Sequence, residues 1–98
     1  MGVEYDPEKS RRNIQERGLS FDLVNELDWA SALFLVDDRK DYGERRYLVF
    51  GTIRDRLHVA VVTPRKEDLR VISLRRANGK EVRLHEREIG RGSGRAPG

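Results

Sequence analysis

The chain has 98 residues, of which 37% are hydrophobic and 38% are charged. This length and composition are typical of one soluble domain with a modest core, and a second domain would not fit. The absence of cysteine excludes disulfides and thiolate chemistry and is compatible with a reducing compartment. The apolar run at residues 29–36 is much shorter than the roughly 20 residues that span a bilayer, and Glu4 and Asp6 stand where a secretion signal would be basic. We therefore expect a cytoplasmic protein without a membrane segment.

Charge is distributed unevenly along the chain. Residues 1–44 contain 6 Lys/Arg and 11 Asp/Glu, a net charge of −5, whereas residues 45–98 contain 14 and 6, a net charge of +8. A strongly basic half is typical of a protein that binds the phosphates of a nucleic acid. The alternative is a solvated charged surface, because charges that cluster in sequence need not cluster in space.

The N-terminal part predicts a short strand and two helices. Residues 3–5 have strand character, and Asp6 and Pro7 are typical of a helix start, since Asp caps free amides and Pro has a suitable φ. Gly18 is expected to end this helix as a left-handed cap. Ser20 then caps a second helix, whose apolar residues share a face that should enter the core: Phe21, Val24 and Leu27.

The middle of the chain changes to an alternating period. It predicts a strand at residues 32–36, a polar turn, and three further strands at residues 45–53, 57–63 and 69–74. Short turns separate the last three strands and suit antiparallel hairpins. Both faces of these strands carry apolar side chains, so we expect the N-terminal helices on one face and at least partial cover on the other.

Residues 68–84 (DLRVISLRRANGKEVRL) are the most informative segment, because an alternating strand ends in paired arginines and leads directly into a basic helix. Strict alternation places Leu69, Val71 and Ser73 on one face, and Arg70, Ile72 and Leu74 on the other. Arg75 and Arg76 should then leave the sheet in opposite directions. A planar, permanently charged guanidinium with five donors is well suited to phosphate oxygens.

The C-terminal part predicts one helix and a tail. Asn78 and Glu81 resemble a capping box that begins a helix, which should continue to about Ile89 and end at Gly90. The last residues lack large apolar side chains. We therefore expect a single α+β domain at residues 1–90 and a disordered tail at residues 91–98.

Three motifs follow one another along nearly the whole chain up to this tail. The first comprises Tyr5-Asp6-Pro7, Lys9, Asn13, Glu16-Arg17-Gly18 and Phe21. The second is Glu44-Arg45-Arg46 leading into a strand with Gly51, and the third is residues 70–77 (RVISLRRA) followed by Lys80-Glu81. In this order they resemble the BrnT-type toxins of bacterial type II toxin–antitoxin systems, a branch of the RelE-like ribonucleases.

The resemblance implies a RelE-like α+β fold, with N-terminal helices packed on an antiparallel sheet and a C-terminal helix. It also implies metal-independent and cofactor-free cleavage of RNA, in which the ribose 2′-hydroxyl attacks the adjacent phosphate and translation and growth are inhibited. The implied partner is a small BrnA-like antitoxin with a ribbon-helix-helix part, which neutralises the toxin and contacts operator DNA on behalf of the complex.

One position departs from the family pattern, which has a His before the first Gly where this chain has Arg17. Guanidinium does not deprotonate near neutral pH, so Arg17 cannot replace a His that transfers protons. The alternative to an active ribonuclease is therefore a catalytically weak or inactive module of the same fold that binds RNA or antitoxin. A basic interaction domain outside the family is a third alternative.

The catalytic residues expected from the charge pattern and the resemblance are Arg46, Arg75 and Arg76, which would stabilise charge on phosphorus if they converge in one pocket. The expected RNA-binding residues are Lys9, Arg17, Lys80 and Arg83. Most of these residues have a structural alternative. Arg46 could pair with Glu44 or Asp41 at a strand edge, and the paired arginines could be an exposed strand end. Lys9 and Arg17 could be solvated helix residues, and Lys9 could pair with Glu16 or Asp6.

The sequence identifies no general base. The titratable candidates are Glu44, Glu81, His58 and His85. Glu81 is expected to be a helix cap, and a carboxylate needs a raised pKa to exchange protons near pH 7. His58 lies in the middle of a strand, which favours a core or sheet-face role. With two histidines, no cysteine and scattered carboxylates, the sequence predicts no metal site.

Overall fold

A five-stranded sheet organises the fold. This computed structural model describes the backbone of residues 2–95 and the side chains of residues 2–90. The strands are β1 (Val3–Glu4), β2 (Leu33–Val36), β3 (Tyr47–Ile53), β4 (Arg56–Arg65) and β5 (Asp68–Arg76). Their spatial order is β1-β5-β4-β3-β2, and every pair is antiparallel except β1 with β5. Helix α1 (Pro7–Arg17) and two 3₁₀ helices (Phe21–Glu26 and Trp29–Ser31) precede β2, and helix α2 (Gly79–Arg95) follows β5. The expected α+β class is confirmed, and the architecture is compatible with a RelE-like fold.

The caps predicted for the N-terminal helices are present. Asp6 accepts a hydrogen bond from the backbone N–H of Glu8 at 2.9 Å, and Gly18 ends α1 with a left-handed φ of 72°. Ser20 begins the next helix, which is of the 3₁₀ type. Its apolar residues recur every third position, and a 3₁₀ helix has three residues per turn, so they lie along one face: Phe21, Val24 and Leu27.

Asn13, from the first sequence motif, joins α1 to the sheet. Its side-chain amide donates to the backbone carbonyls of Leu19 at 2.8 Å and Leu74 at 3.0 Å, and both bonds are buried. Tyr5, from the same motif, packs edge-on against Phe21 with ring centroids 5.9 Å apart. These two members of the motif therefore help to build the N-terminal core.

The core lies on one face of the sheet, which we call the inner face. Leu27 rests directly on Gly51, where an added Cβ would lie only 2.7 Å from Leu27 Cγ. The glycine of the second motif is therefore required by this close approach of the 3₁₀ segment to β3. The buried residues of this core are Leu19, Phe21, Val24, Leu27, Val49, Ile53, Ala60, Val62, Val71 and Leu74.

The strict alternation expected along β5 is wrong because the strand contains a β-bulge. Val61 pairs with Ser73 but Val62 pairs with Val71, which leaves Ile72 as an extra residue. Val71 and Leu74 consequently share the inner face, and both are buried. Alternation resumes after the bulge, where Arg75 pairs with Val59 and Arg76 with His58. Arg75 and Arg76 do point to opposite faces, as expected.

Helix α2 gives the opposite face of the sheet, the outer face, partial cover. The predicted capping box is present, since Glu81 accepts from the Asn78 backbone N–H and Asn78 accepts from the Glu81 backbone N–H, both at 2.9 Å. Further along α2, the His85 Nε2 lies 2.8 Å from the backbone carbonyl of Ser31, which fixes the helix near β2. Phe50 and Val59 on the outer face are buried.

The end of α2 differs from the prediction. The helix continues past Gly90 to Arg95, although glycine often ends a helix. Residues 96–98 of the expected tail lie outside the described residues, and the division into a domain at 1–90 and a tail at 91–98 stays a prediction. Within the part of the chain that is described, no helix is long and apolar enough to cross a membrane.

Candidate functional site

Arg46 and Arg75 are both held by carboxylates. Arg75 donates to the two carboxylate oxygens of Glu81 at 2.8 and 2.7 Å, and this hydrogen bonding lowers the pKa of Glu81. Arg46 donates from Nε to Glu44 at 3.0 Å, and its guanidinium carbon lies 4.1 Å from the centroid of the Tyr42 ring. The ion-pair alternative considered for Arg46 is therefore present. A guanidinium held in this way has fewer donors left for a phosphate.

A third arginine–carboxylate pair, absent from the sequence analysis, lies beside Arg46, whose backbone carbonyl accepts from the Asp37 N–H at 2.8 Å. Arg39 donates to both oxygens of Asp37 at 2.7 and 2.8 Å, and the carboxylate is completely buried beneath it. Hydrogen bonding to Glu81 raises the pKa of Arg75, and burial and the charge of Arg39 oppose this rise. The outer face thus carries arginines whose charge is largely balanced by their own carboxylates.

Arg56 and Arg76 are in a different electrostatic state. Among the described residues, neither guanidinium has a nitrogen within 4.0 Å of a carboxylate oxygen. Both line a cavity of about 200 Å³ that also contains Gly18, Leu19 and His58, and both line a neighbouring cavity of about 400 Å³ beside α2. The two guanidiniums therefore stand where these cavities meet, and the larger cavity is also lined by the acidic residues Asp55 and Glu86.

A basic groove follows α1 toward the same end of the sheet. Lys9, Arg12 and Arg17 line a space of about 220 Å³ between α1 and the bulged part of β5. None of the three has an ion pair among residues 2–90. Arg17 borders this groove, and the adjacent Gly18 borders the cavity that contains Arg56 and Arg76. We call these five cations the basic tract: Lys9, Arg12, Arg17, Arg56 and Arg76.

Two members of the basic tract were missed by sequence reasoning. The position of Arg12 could have been inferred from the sequence, because it lies three residues after Lys9 and so shares its side of the helix. The position of Arg56 could not, because the register of the β3–β4 hairpin decides which side chains Arg56 contacts. Lys80 and Arg83 are exposed near the start of α2, as expected for solvent-facing cations, but they line none of the three cavities described above.

The three arginines expected to form one catalytic pocket do not converge. Arg76 lies on the inner face, while Arg75 lies on the outer face beside Val59. Tyr47 pairs with Val62, so the preceding Arg46 is level with Thr63. Thr63 lies four residues along β4 from Val59, the partner of Arg75, a separation of roughly 13 Å. The expectation of a single pocket is wrong because β5 alternates between Arg75 and Arg76 and because Arg46 enters β3 at the opposite end of the sheet.

His58 lies on the inner face between Ile53 and Arg76 in the smaller cavity. Its Nδ1 is 2.8 Å from the backbone carbonyl of Arg56, and since a carbonyl can only accept, Nδ1 carries the proton. Burial lowers the pKa of His58, the hydrogen bond to the Arg56 carbonyl opposes this, and the charges of Arg76 and Arg56 add to the lowering. The net shift favours the neutral imidazole. Among the described residues, no group of three His, Cys, Asp or Glu could hold a metal ion.

Comparison with known proteins identifies the family. Curated protein sequences give no match. The family model described as the ribonuclease toxin BrnT of type II toxin–antitoxin systems matches residues 5–81. The matched range contains all three sequence motifs, the sheet from β2 to β5, and every member of the basic tract. Since the match extends over most of the chain, this protein belongs to the BrnT family of type II toxin–antitoxin ribonuclease toxins.

Proposed function

We propose that this protein is a metal-independent endoribonuclease toxin that cleaves RNA at the end of the sheet where Arg56 and Arg76 meet. The single observation that carries the proposal is the contrast between paired and unpaired arginines. Arg46 and Arg75 already have carboxylate partners, whereas Arg56 and Arg76 have none among the described residues and border two cavities. Unpaired guanidiniums can offer all their donors to a phosphate whose negative charge grows during reaction.

The rest of the basic tract provides a path for the RNA backbone. Lys9, Arg12 and Arg17 lie along α1 and lead to the cavity through Gly18. Lys80 and Arg83, exposed near the start of α2, would contact the strand where it leaves the site. Binding through this many phosphate contacts is strongly dependent on salt. Arg46 and Arg75 stabilise the outer face in this proposal and do not contact the scissile phosphate.

The proposed partner is a small BrnA-like antitoxin that neutralises the toxin by covering the basic tract in the cytoplasm. An acidic surface on this antitoxin would complement the five cations and accelerate association at low salt. Its ribbon-helix-helix part would contact the operator DNA, so the toxin itself needs no DNA contact. Association rates that do not change between low and high salt would argue against this mode of neutralisation.

The direct test is RNA cleavage by the purified protein in the presence of a metal chelator. The variant Arg56→Gln/Arg76→Gln removes both unpaired guanidiniums, and Arg45→Gln/Lys66→Gln removes the same charge from exposed positions outside the basic tract. We expect the control to cleave like the wild type and the site variant to be at least about 100-fold slower, as for the loss of one oxyanion-hole donor. An identical DNA oligonucleotide should stay intact because it lacks the 2′-hydroxyl. Equal rates in the two variants, or activity only with added metal, would contradict the proposal.

A second candidate function is an inactive module that binds RNA or antitoxin. It is favoured by Arg17, which lies in the groove without an ion pair among the described residues and can bind phosphate but cannot exchange a proton. Expression in bacteria without the antitoxin distinguishes the two candidates. The ribonuclease predicts growth arrest that Arg56→Gln/Arg76→Gln relieves, while the inactive module predicts unchanged growth with either form.

A further inference from the structure

The smaller cavity holds a buried histidine with one nitrogen left for chemistry. His58 is 4% exposed, and its Nδ1–H donates to the backbone carbonyl of Arg56 at 2.8 Å. Across the described part of the chain, every buried side-chain nitrogen or oxygen has a hydrogen-bond partner. Since Nε2 of His58 has no partner there, it is not fully enclosed, and the residue lines the cavity together with Arg76.

We infer that His58 Nε2 is the general base of the ribonuclease reaction, an inference that rests on the proposed function. Its lone pair accepts the proton of the ribose 2′-hydroxyl as the 2′-oxygen forms its bond to phosphorus. The bond from phosphorus to the 5′-oxygen breaks, and the leaving oxygen takes a proton from water. The products are a 2′,3′-cyclic phosphate and a 5′-hydroxyl, with His58 left as imidazolium until it returns its proton to solvent.

The hydrogen bond to Arg56 selects the tautomer that this role requires. A proton on Nδ1 leaves Nε2 as an acceptor, and the carbonyl fixes the plane of the ring. Arg56 thus acts twice, since its backbone orients the imidazole and its side chain lines the same cavity. The unpaired guanidiniums and the base lie together, which is the arrangement needed to stabilise the phosphorane while its proton is removed.

Burial, and after it the charges of Arg76 and Arg56, favours the neutral form of the base. The charged groups that line the cavity are Arg56 from β4, Arg76 from β5 and Arg54 from the hairpin turn, which is paired with Glu26. The segment that follows α1 contributes Gly18, Leu19 and Leu23, which carry no charge. Removal of Arg56 or Arg76 takes away repulsion on the imidazolium and so raises the pKa of His58.

The variant that tests this inference is His58→Asn. The asparagine amide can still donate to the Arg56 carbonyl, but it has no basic nitrogen. We expect its cleavage rate to fall by about 100-fold or more, the usual contribution of a positioned base, with thermal unfolding monitored to show that it folds. Arg45→Gln/Lys66→Gln is the control, because both positions are exposed and line none of the three cavities. It should cleave like the wild type.

The pH profile provides a readout that a merely structural role would not change. Wild-type kcat/KM should fall tenfold for each pH unit below the pKa of His58 measured by NMR, and should be level above it. In Arg56→Gln, the residual activity should show this acidic limb at higher pH. The shift in the limb can be measured even if His58→Asn does not fold.

The outcomes separate this inference from the proposed function. If the wild type yields no cyclic phosphate product, both are overturned. If it yields that product but His58→Asn cleaves equally well, or if the acidic limb does not coincide with the His58 titration, the base assignment alone is wrong and the ribonuclease stands. Loss of activity in His58→Asn with a limb that moves in Arg56→Gln supports both.

Discussion

The pairing of Arg75 with Glu81 can be measured by a double-mutant cycle. Arg75→Met removes the guanidinium and keeps a long apolar stem, and Glu81→Gln keeps the shape of the carboxylate without its charge. The bond is bidentate at 2.8 and 2.7 Å, and the two side chains are 38% and 17% exposed. Exposed pairs contribute up to about 1 kcal/mol and hydrogen bonds to charged groups about 1.5 to 3 kcal/mol. We therefore expect a coupling free energy of about 1 to 2 kcal/mol.

The assay is thermal or urea unfolding of the wild type, both single variants and the double variant. In a domain of this size each kcal/mol corresponds to about 4 to 8 °C in Tm. Asp6→Ala serves as the control, because it removes the α1 cap bond to Glu8, a bond that involves neither Arg75 nor Glu81. Its cost, about 0.5 to 2 kcal/mol, should be additive with that of Arg75→Met. If the coupling free energy between Arg75 and Glu81 is no larger than the near-zero coupling of the control pair, the structural role is refuted.

The same variants decide whether Arg75 acts on RNA. Because its donors are occupied by Glu81, we expect Arg75→Met to retain RNA cleavage within about threefold of the wild type at a temperature where it is folded, well short of the hundredfold loss expected for an oxyanion-hole donor. Arg76→Gln, one residue further on the inner face, should lose activity without a comparable loss of stability. The opposite pattern would move the active site to the outer face.

Three further predictions concern the framework of the site. Gly51→Ala should lower the free energy of unfolding by about 1 to 3 kcal/mol, because its Cβ would lie 2.7 Å from Leu27 Cγ. When Leu27 is truncated in the same chain, the double variant should lose less stability than the two single variants lose together. At Gly90, the described residues place no atom outside the helix's own backbone within 4 Å of an added Cβ, so Gly90→Ala should instead raise Tm through helix propensity. Asp37 and Glu81 have pKa values lowered by Arg39 and Arg75, so their contribution to stability is present above about pH 4 and lost as pH falls further. Urea unfolding at pH 7 and pH 3 checks this, and Glu81→Gln should weaken the dependence.

Local signals in the sequence predicted the elements well. Asp6, Gly18 and the Asn78–Glu81 capping box act through neighbours within a few residues, so their positions could be inferred without any tertiary contact. The end of α2 is the exception. Gly90 permits a helix to stop but does not require it to stop, and the helix continues to Arg95.

The site was harder to predict because it depends on register. Ile72 is a bulge residue, and nothing in an alternating run of apolar and charged residues shows which one will be left unpaired. The bulge puts Leu74 on the core side, and this in turn puts Arg76 beside His58 and sends Arg75 to Glu81. Two adjacent arginines that look equivalent in sequence therefore have different electrostatic states. One is paired with the carboxylate of a helix cap and the other lies beside an imidazole without an ion pair among the described residues, so a single extra residue in β5 sets this difference.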